Sequence, residues 1–371
     1  MSDASELKKT PLYEEHVRLG GKIVDFAGWL LPIQYPEGIL KEHENVRTSC
    51  GLFDVSHMGE VWVSGPETLK FCEYLIPTNV SRMKFGEICY SCFCNEAGGI
   101  VDDLLLYKKE EKRVLLVVNA SNVDKDVAWI KARAKGFDVS IENASSAFAQ
   151  IAIQGPDAEK IVQPFASVVL SEIDFYHFVV GRVNGIEGII SRTGYTGEDG
   201  FEFYIRPDAA LPLWRKLVSL GAKPAGLGAR DLLRFEACYM LYGNEIDEVT
   251  SPVQAGMKWI IDFDKDFYGK EGVVKKMEQS PSKRLRGFEV VEKGGIPRHG
   301  AKIRIGEQEA GVVTTGNKSP SIDKIVFLGY VPETVKIGDT VDVEIRPGKT
   351  VKAKAVKTPF YRGSVKSKKK A

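Results

Sequence analysis

Two adjacent acids, Asp102 and Asp103, stand in a run whose other residues suit a buried strand: Gly98-Gly99-Ile100-Val101-Asp102-Asp103-Leu104-Leu105-Leu106-Tyr107. Successive side chains on a strand point to opposite faces, so at least one carboxylate is directed at the interior. A carboxylate there must be paired, hydrogen-bonded or raised in pKa. Such a group is a candidate for proton transfer or for holding a cation. The competing reading is that one acid caps a loop while the other sees water, and the stretch alone leaves both open.

A further acid follows a glycine-rich turn in Gly194-Tyr195-Thr196-Gly197-Glu198-Asp199-Gly200-Phe201-Glu202-Phe203-Tyr204-Ile205. Glycine lets the backbone turn sharply and approach a ligand closely. In the strand that follows, Phe201, Phe203 and Ile205 share one face, and Glu202 and Tyr204 the other. Glu202 therefore leaves the turn on a defined face among aromatic residues. A carboxylate so placed can accept two hydrogen bonds from the amidine-like edge of a heterocycle; the alternative is an ordinary hairpin with Glu202 in solvent. The segment Gly226-Leu227-Gly228-Ala229-Arg230-Asp231 enters a helix on which Leu232, Leu233, Glu236, Ala237 and Met240 keep helical spacing, with Gly243 as its expected end. Arg230 lies at the helix start, where the macrodipole disfavours a cation. Asp231 is well placed there and within one turn of Arg234. Arg230 is either held for an anion or ligand, or a salt-bridged surface arginine.

Other chemistries find little support. Ser56 and His57 are neighbours whose side chains diverge on a strand, which argues against a Ser–His nucleophile. No phosphate loop or dinucleotide fingerprint occurs. Of the six cysteines, Cys89, Cys92 and Cys94 cluster on a strand, with Tyr90, Cys92 and Cys94 on one face and Cys89, Ser91 and Phe93 on the other. No second cysteine or histidine pair at zinc-like spacing accompanies them, so they read as buried free thiols. His16, His43, His57, His177 and His299 are scattered. The residues thus describe a metal-free, nucleotide-free enzyme or ligand-binding protein with acids and aromatics around a pocket.

The elements that must position these groups fall into three textures. Residues 38–49 read as a helix ended by Gly51. Residues 59–137 read as an antiparallel α+β unit, because the strands at 61–63, 87–95, 100–108 and 114–118 are too closely spaced for crossover helices. Within it, a helix follows Pro66 and another is capped by Asn122. A second mixed region, 139–242, holds a strand at 149–154, a turn at Gly155-Pro156, a hairpin loop around 196–200 and a helix over 209–220. From residue 282, evenly spaced short strands with glycine turns predict a small β-barrel or jelly roll.

The length of 371 residues fits two or three domains, and 43% hydrophobic with 27% charged residues is ordinary globular composition. A net charge of +1 argues against a nucleic-acid partner. The polar start, Met1-Ser2-Asp3-Ala4-Ser5-Glu6, lacks a signal or transit pattern, and no run approaches the ~20 apolar residues of a membrane helix. A cytoplasmic protein with no membrane association is expected. The basic tail, Lys366-Ser367-Lys368-Lys369-Lys370, reads as a solvated end.

Together the motifs resemble the glycine cleavage system T-protein family of aminomethyltransferases. The resemblance runs through Thr10-Pro11-Leu12-Tyr13, Asp25-Phe26-Ala27-Gly28-Trp29, Phe53-Asp54-Val55-Ser56-His57-Met58 and Asn95-Glu96-Ala97-Gly98-Gly99-Ile100-Val101-Asp102-Asp103-Leu104. It continues through 194–202 and 226–231, Leu241-Tyr242-Gly243-Asn244-Glu245-Ile246-Asp247, and Pro359-Phe360-Tyr361-Arg362. It implies an α+β fold: a three-domain cloverleaf around a central channel, with antiparallel sheets and a C-terminal β-barrel or jelly-roll domain. The first domain would comprise 1–58 and 138–281, the inserted one 59–137, and the C-terminal one 282–371.

The resemblance further implies transfer of a one-carbon unit from the aminomethyl-lipoyl H-protein to tetrahydrofolate, without metal or nucleotide. The products would be 5,10-methylenetetrahydrofolate, ammonia and dihydrolipoyl H-protein. By the same matching Asp103 is the catalytic carboxylate, with Asp102 as the positional alternative. Glu202 and Arg230 would hold the folate, and Tyr90, Asn119, Tyr195, Tyr239 and Met58 would wall its site. Rival readings are another tetrahydrofolate-dependent demethylase of the same fold, or a non-enzymatic folate-binding protein in iron–sulfur assembly. The latter carries a Lys-Gly-Cys-Tyr type motif that the 240–245 region lacks.

Overall fold

The structure is a computed structural model that describes residues 7–279 and 283–365. The polar start and the basic tail lie outside the described residues.

Five strands, Gly59–Ser64, Ile88–Cys94, Ile100–Glu110, Arg113–Val118 and Ser140–Asn143, form an antiparallel sheet with Ile100–Glu110 between the second and fourth of them. The last of these strands lies beyond residue 137. One face carries Val61, Val63, Leu104, Leu106 and Leu116 and is covered by Phe71 and Leu75 of the helix Thr68–Leu75 and by Ile130 of Val123–Arg133. The other face carries Trp62, Tyr107, Leu115 and Val117 and meets Phe178, Ile189 and Tyr204 of a second sheet. With both faces covered, the strand Ile100–Glu110 needs apolar residues on both, so its sequence shows no polar alternation. Asp102 and Asp103 are consequently both buried, at 0% and 8% exposed, and neither is the solvent-facing acid of the competing reading.

The second sheet runs Phe178–Val183, Ile186–Ser191, Gly200–Ile205, Ala149–Gln154, Gly51–Asp54 and Lys223–Pro224, antiparallel except at the last pair. Phe201, Phe203 and Ile205 enter a core with Leu52, Ile151, Ile153 and Trp214. By alternation Glu202 and Tyr204 face the first sheet. Gly51 opens the strand Gly51–Asp54, since the helix before it is already complete at Ile39–Thr48. A small three-stranded sheet, which periodicity did not reveal, is built from Lys8–Lys9, Lys22–Phe26 and Trp29–Gln34.

Residues 283–356 close into a six-stranded barrel rather than a jelly roll. The rings of Phe288 and Phe327 stack in its core with centroids 4.8 Å apart. The barrel docks on the helix Leu227–Glu236 through Phe235, Val326 and Leu328. Polar contacts fix the same junction: Glu236 accepts from His43 (2.8 Å), Arg47 (2.7 Å) and the hydroxyls of Ser319 and Ser321.

Two local expectations need correction. The helix from Leu227 stops at Glu236, not near Gly243, although Met240 continues the apolar spacing. Cys238 adopts a left-handed backbone, at φ 57°, and Leu241 N–H turns back to Glu245 Oε2 (3.1 Å). Asn122 stands at the N-cap of Val123–Arg133, but its side chain caps nothing and its amide nitrogen is buried without a partner.

Gly99 opens the strand that carries the acid pair. A Cβ there would lie 1.7 Å from the Glu248 carbonyl oxygen, so only glycine fits. Gly99→Ala is expected to destabilise by about 2 kcal/mol or more, the scale of an overpacked interior, and to lower Tm measurably in scanning calorimetry. An unchanged Tm would show that the chain at Glu248 yields without cost.

Candidate active site

One cavity of about 1020 Å³ opens between the two sheets and the helix Leu227–Glu236. It is lined by Asp103, Glu202, Arg230, Tyr90, Asn119, Tyr195, Tyr239 and Met58, all of the candidate residues read from the sequence. Asp102 does not line it, as expected for the neighbour on the opposite face of a strand. Its lining comes from the two large sheets, from Phe26 and Ile33 of the small sheet, from the helix that carries Arg230 and from the segments around them; the barrel bears on the cavity by holding that helix and, through Thr315, the lining residue Asn244.

At one wall the strands Ile88–Cys94 and Ile100–Glu110 bring Tyr90 beside Asp103. Tyr90 donates its hydroxyl to Asp103 Oδ2 (2.8 Å), and Asn119 donates its amide N–H to Oδ1 (2.7 Å). The same Asn119 nitrogen reaches Asp102 Oδ1 (3.0 Å). Burial, and next the charge of Asp102, push the Asp103 carboxyl up to about 7, against the lowering effect of its Tyr90 and Asn119 hydrogen bonds. A carboxyl at this value can exist in either protonation state near neutral pH, which is what a general acid or base requires.

The opposite wall carries Glu202 and Arg230. Glu202, 5% exposed, accepts the Thr193 hydroxyl at 2.5 Å. Burial raises its pKa, while Thr193, Arg230 and Gln150 oppose that rise. Arg230 has no ion pair or hydrogen bond among the described residues; its guanidinium lies over the Tyr195 ring, 4.6 Å from the centroid. Tyr195 stacks on Tyr239 with centroids 5.9 Å apart, and its hydroxyl is tied to the Met240 carbonyl. The solvent-facing Glu202 and the salt-bridged Arg230 are thus both ruled out. Arg234, one turn on, is the paired arginine: it meets Asp231 (2.8 Å) and Glu245 (2.6 Å).

Sequence reasoning missed several lining groups. His57 borders the cavity, and burial followed by the nearby Arg230 lowers its pKa to about 4, leaving a neutral ring whose Nδ1 has no partner. Its place between Ser56 and Met58 in a quoted motif was the available signal. Gln150 and Trp259 also line it. Trp259 is 71% exposed and stacks on Tyr90 at 6.1 Å; it lies on a single short turn, Lys258–Ile260, that no periodic pattern announces. Cys92 and Cys94 are buried free thiols, their sulfurs 3.7 Å apart. Among the described residues no cluster of His, Cys, Asp or Glu is arranged to hold a metal ion, and no helix is long and apolar enough to cross a membrane.

Known proteins resemble this chain over nearly all of its length. A family model of the GCVT N-terminal domain matches residues 12–265, and one of the glycine cleavage T-protein C-terminal barrel domain matches residues 283–362. An aminomethyltransferase of Thermosipho melanesiensis is 50% identical over 365 residues, covering 98% of this chain and 100% of that protein. One of Desulfitobacterium hafniense is 48% identical over 364 residues, covering 96% and 99%. The crystal structure of glycine cleavage system aminomethyltransferase T from Bartonella henselae superposes with a TM-score of 0.90 at 36% identity, covering 97% of this chain and 99% of that one. Matched in both of its parts and across its whole cavity-bearing body, the chain belongs to the glycine cleavage T-protein family of aminomethyltransferases.

Proposed function

We propose that the protein transfers the one-carbon unit of an aminomethyl-lipoyl H-protein to tetrahydrofolate. The observation that carries this reading is a buried carboxyl, Asp103, that faces the same cavity as an unpaired guanidinium and a second carboxyl, Arg230 and Glu202. In the balanced reaction the S–CH2 and CH2–NH2 bonds break and two C–N bonds form at the folate's nitrogens 5 and 10. The two protons lost from those nitrogens leave on ammonia and on the dihydrolipoyl thiol.

This chain's residues divide the work. Glu202 accepts from the amino edge of the pterin, and Arg230 supplies planar donors. Tyr195 and Tyr239 present flat faces on which a ring can lie. Met58, Tyr90 and Asn119 complete the wall, the last two also holding both oxygens of Asp103. Asp103 orients the amine at nitrogen 10, stabilises the positive charge that develops there, and carries its proton. A cavity with apolar walls strengthens each of these interactions relative to water. The partner in this reading is the lipoylated H-protein, and the setting is the cytoplasm.

Three outcomes test this. Asp103→Asn is expected to keep the fold and the folate affinity but to slow single-turnover transfer from lipoylated H-protein by ~100-fold or more, the scale of a lost acid–base group. Near-normal rates would refute the role. Asp103 acts as a base only when ionised, so in the unmodified protein the rate should fall as the pH drops through about 7, and Asp103→Asn should lack that limb. Glu202→Ala and Arg230→Ala are each expected to weaken tetrahydrofolate binding by about tenfold, as for a lost hydrogen bond to a charged group. Calorimetric titration giving unchanged affinity for both would count against the pocket assignment.

A further inference from the structure

The last described segment runs from the barrel back across the cavity-bearing body, yet among the described residues none beyond Ile260 lines the cavity. We propose that residues 361–364 form a strap that sets the Tyr195 ring against the Arg230 guanidinium. Gly363 and Ser364, acting through Glu198, are then positioning residues for tetrahydrofolate. This role rests on the folate binding proposed for Arg230.

Tyr195 and Arg230 reach the cavity from separate elements: Tyr195 from the turn before the strand Gly200–Ile205, Arg230 from the helix Leu227–Glu236. Their contact is a cation lying over a ring, which holds only within about 6 Å of the centroid. The turn must therefore be fixed relative to the helix. The two approach so closely that a Cβ on Gly197 would lie 3.0 Å from that of Ala237. Arg47 of the helix Ile39–Thr48 joins them once. It donates to the Thr196 carbonyl (2.7 Å) and Glu198 Oε1 (2.8 Å) of the turn, and to Glu236 Oε2 (2.7 Å) at the helix end.

The strap joins them a second time. Tyr361 N–H donates to the Glu236 carbonyl (3.0 Å), one of the groups that a helix C-terminus leaves without an internal partner. Phe360 packs on Phe235 of the same helix, ring centroids 5.4 Å apart, and the Arg47 guanidinium lies over the Tyr361 ring at 4.3 Å. Three residues on, Ser364 donates both its N–H (2.8 Å) and its hydroxyl (2.6 Å) to Glu198 Oε2, and its oxygen accepts the Asp199 N–H (3.0 Å). Glu198 is 4% exposed, so Arg47 on one oxygen and Ser364 on the other supply hydrogen bonds that burial takes from water. Between these anchors Gly363 passes the turn at a distance that no side chain allows: a Cβ there would lie 2.3 Å from the Gly197 carbonyl oxygen and 2.7 Å from Glu198 Oε1. To fasten the barrel to the helix, the anchors at Phe235 and Glu236 would suffice; Gly363 and Ser364 engage the turn that carries Tyr195.

The test compares the full-length protein with Gly363→Val, which drives the strap off the turn, and Ser364→Ala, which removes the hydroxyl. Calorimetric titration with tetrahydrofolate should give a Kd raised about tenfold in the first and about threefold in the second, the range from a charged to a neutral hydrogen bond lost. The single-turnover rate at saturating tetrahydrofolate should stay within about twofold, because Asp103 lies on the other wall. Ser364→Thr, which keeps the hydroxyl, should bind like the unmodified protein. Each strap variant is then combined with Arg230→Ala, where a strap that works by placing the guanidinium has nothing left to place. A smaller factor in Kd there than in the unmodified protein upholds the role. An equal factor, an unchanged Kd in both strap variants, or a saturating rate that falls as far as the affinity overturns it. If Gly363→Val does not fold, Ser364→Ala decides by the same criteria. If Arg230→Ala itself binds like the unmodified protein, the pocket assignment fails and takes the strap's role with it; a failure confined to the strap leaves the Arg230→Ala loss in place.

Discussion

A sheet covered on both faces offers little water to adjacent carboxylates, and in this one Asp102 is fully buried while Asp103 reaches only the cavity. The rest of the site follows from how their charge is accommodated. The side chains of Tyr90 and Asn119 donate hydrogen bonds to Asp103 and Asp102, and neither is a cation. Hydrogen bonds hold the two side chains in place, yet they do not restore a carboxyl to its solution behaviour as a salt bridge would. Asp103 is therefore left with a proton affinity near neutrality. A cationic donor in place of the neutral Asn119 amide would favour the ionised form of the Asp103 carboxyl.

The recognition wall follows the opposite rule. Arg230 and Arg234 stand one turn apart on one helix, and their surroundings differ in kind. Arg234 is saturated by Asp231, Glu245 and the Tyr239 carbonyl, and through Glu245 it reaches Thr315 of the barrel. Among the described residues the Arg230 guanidinium has no ion pair or hydrogen bond and lies over the Tyr195 ring. The barrel's contribution is thus mechanical. By clamping Arg234, Phe235 and Glu236, it fixes the helix on which an otherwise unpaired cation is presented to the cavity.

Where the sequence was legible, the pattern was local. Alternation placed Glu202 on the face opposite Phe201 and Phe203, and the turn residues marked the loop before it. The six short strands of the barrel were evident from glycine spacing and alternation. The helix end at Glu236 was not, because the local apolar spacing continues to Met240 while distant groups draw the backbone away: the Met240 carbonyl receives Tyr195, and Leu241 N–H turns to Glu245. The meeting of His57 and Arg230 at one cavity was illegible for the same reason: it joins residues far apart in the chain, and nothing in the spacing of either partner marks it.

On the proposed reading, ligand charge and protein charge are coupled at the wall of Glu202 and Arg230. Burial disfavours the ionised form of Glu202, and only Thr193, Gln150 and the field of Arg230 hold that effect back. His57, kept neutral by its burial and by Arg230, adds no positive charge. A ring edge that donates N–H groups to Glu202 supplies hydrogen bonds that burial has taken away, and so favours the carboxylate over the acid. Binding such an edge therefore releases a proton from whatever fraction of Glu202 was protonated. A ring edge that presents acceptors instead would need Glu202 to stay protonated and would face no donor but Arg230. On that reading the wall would discriminate by the direction of its hydrogen bonds, which shape alone does not set.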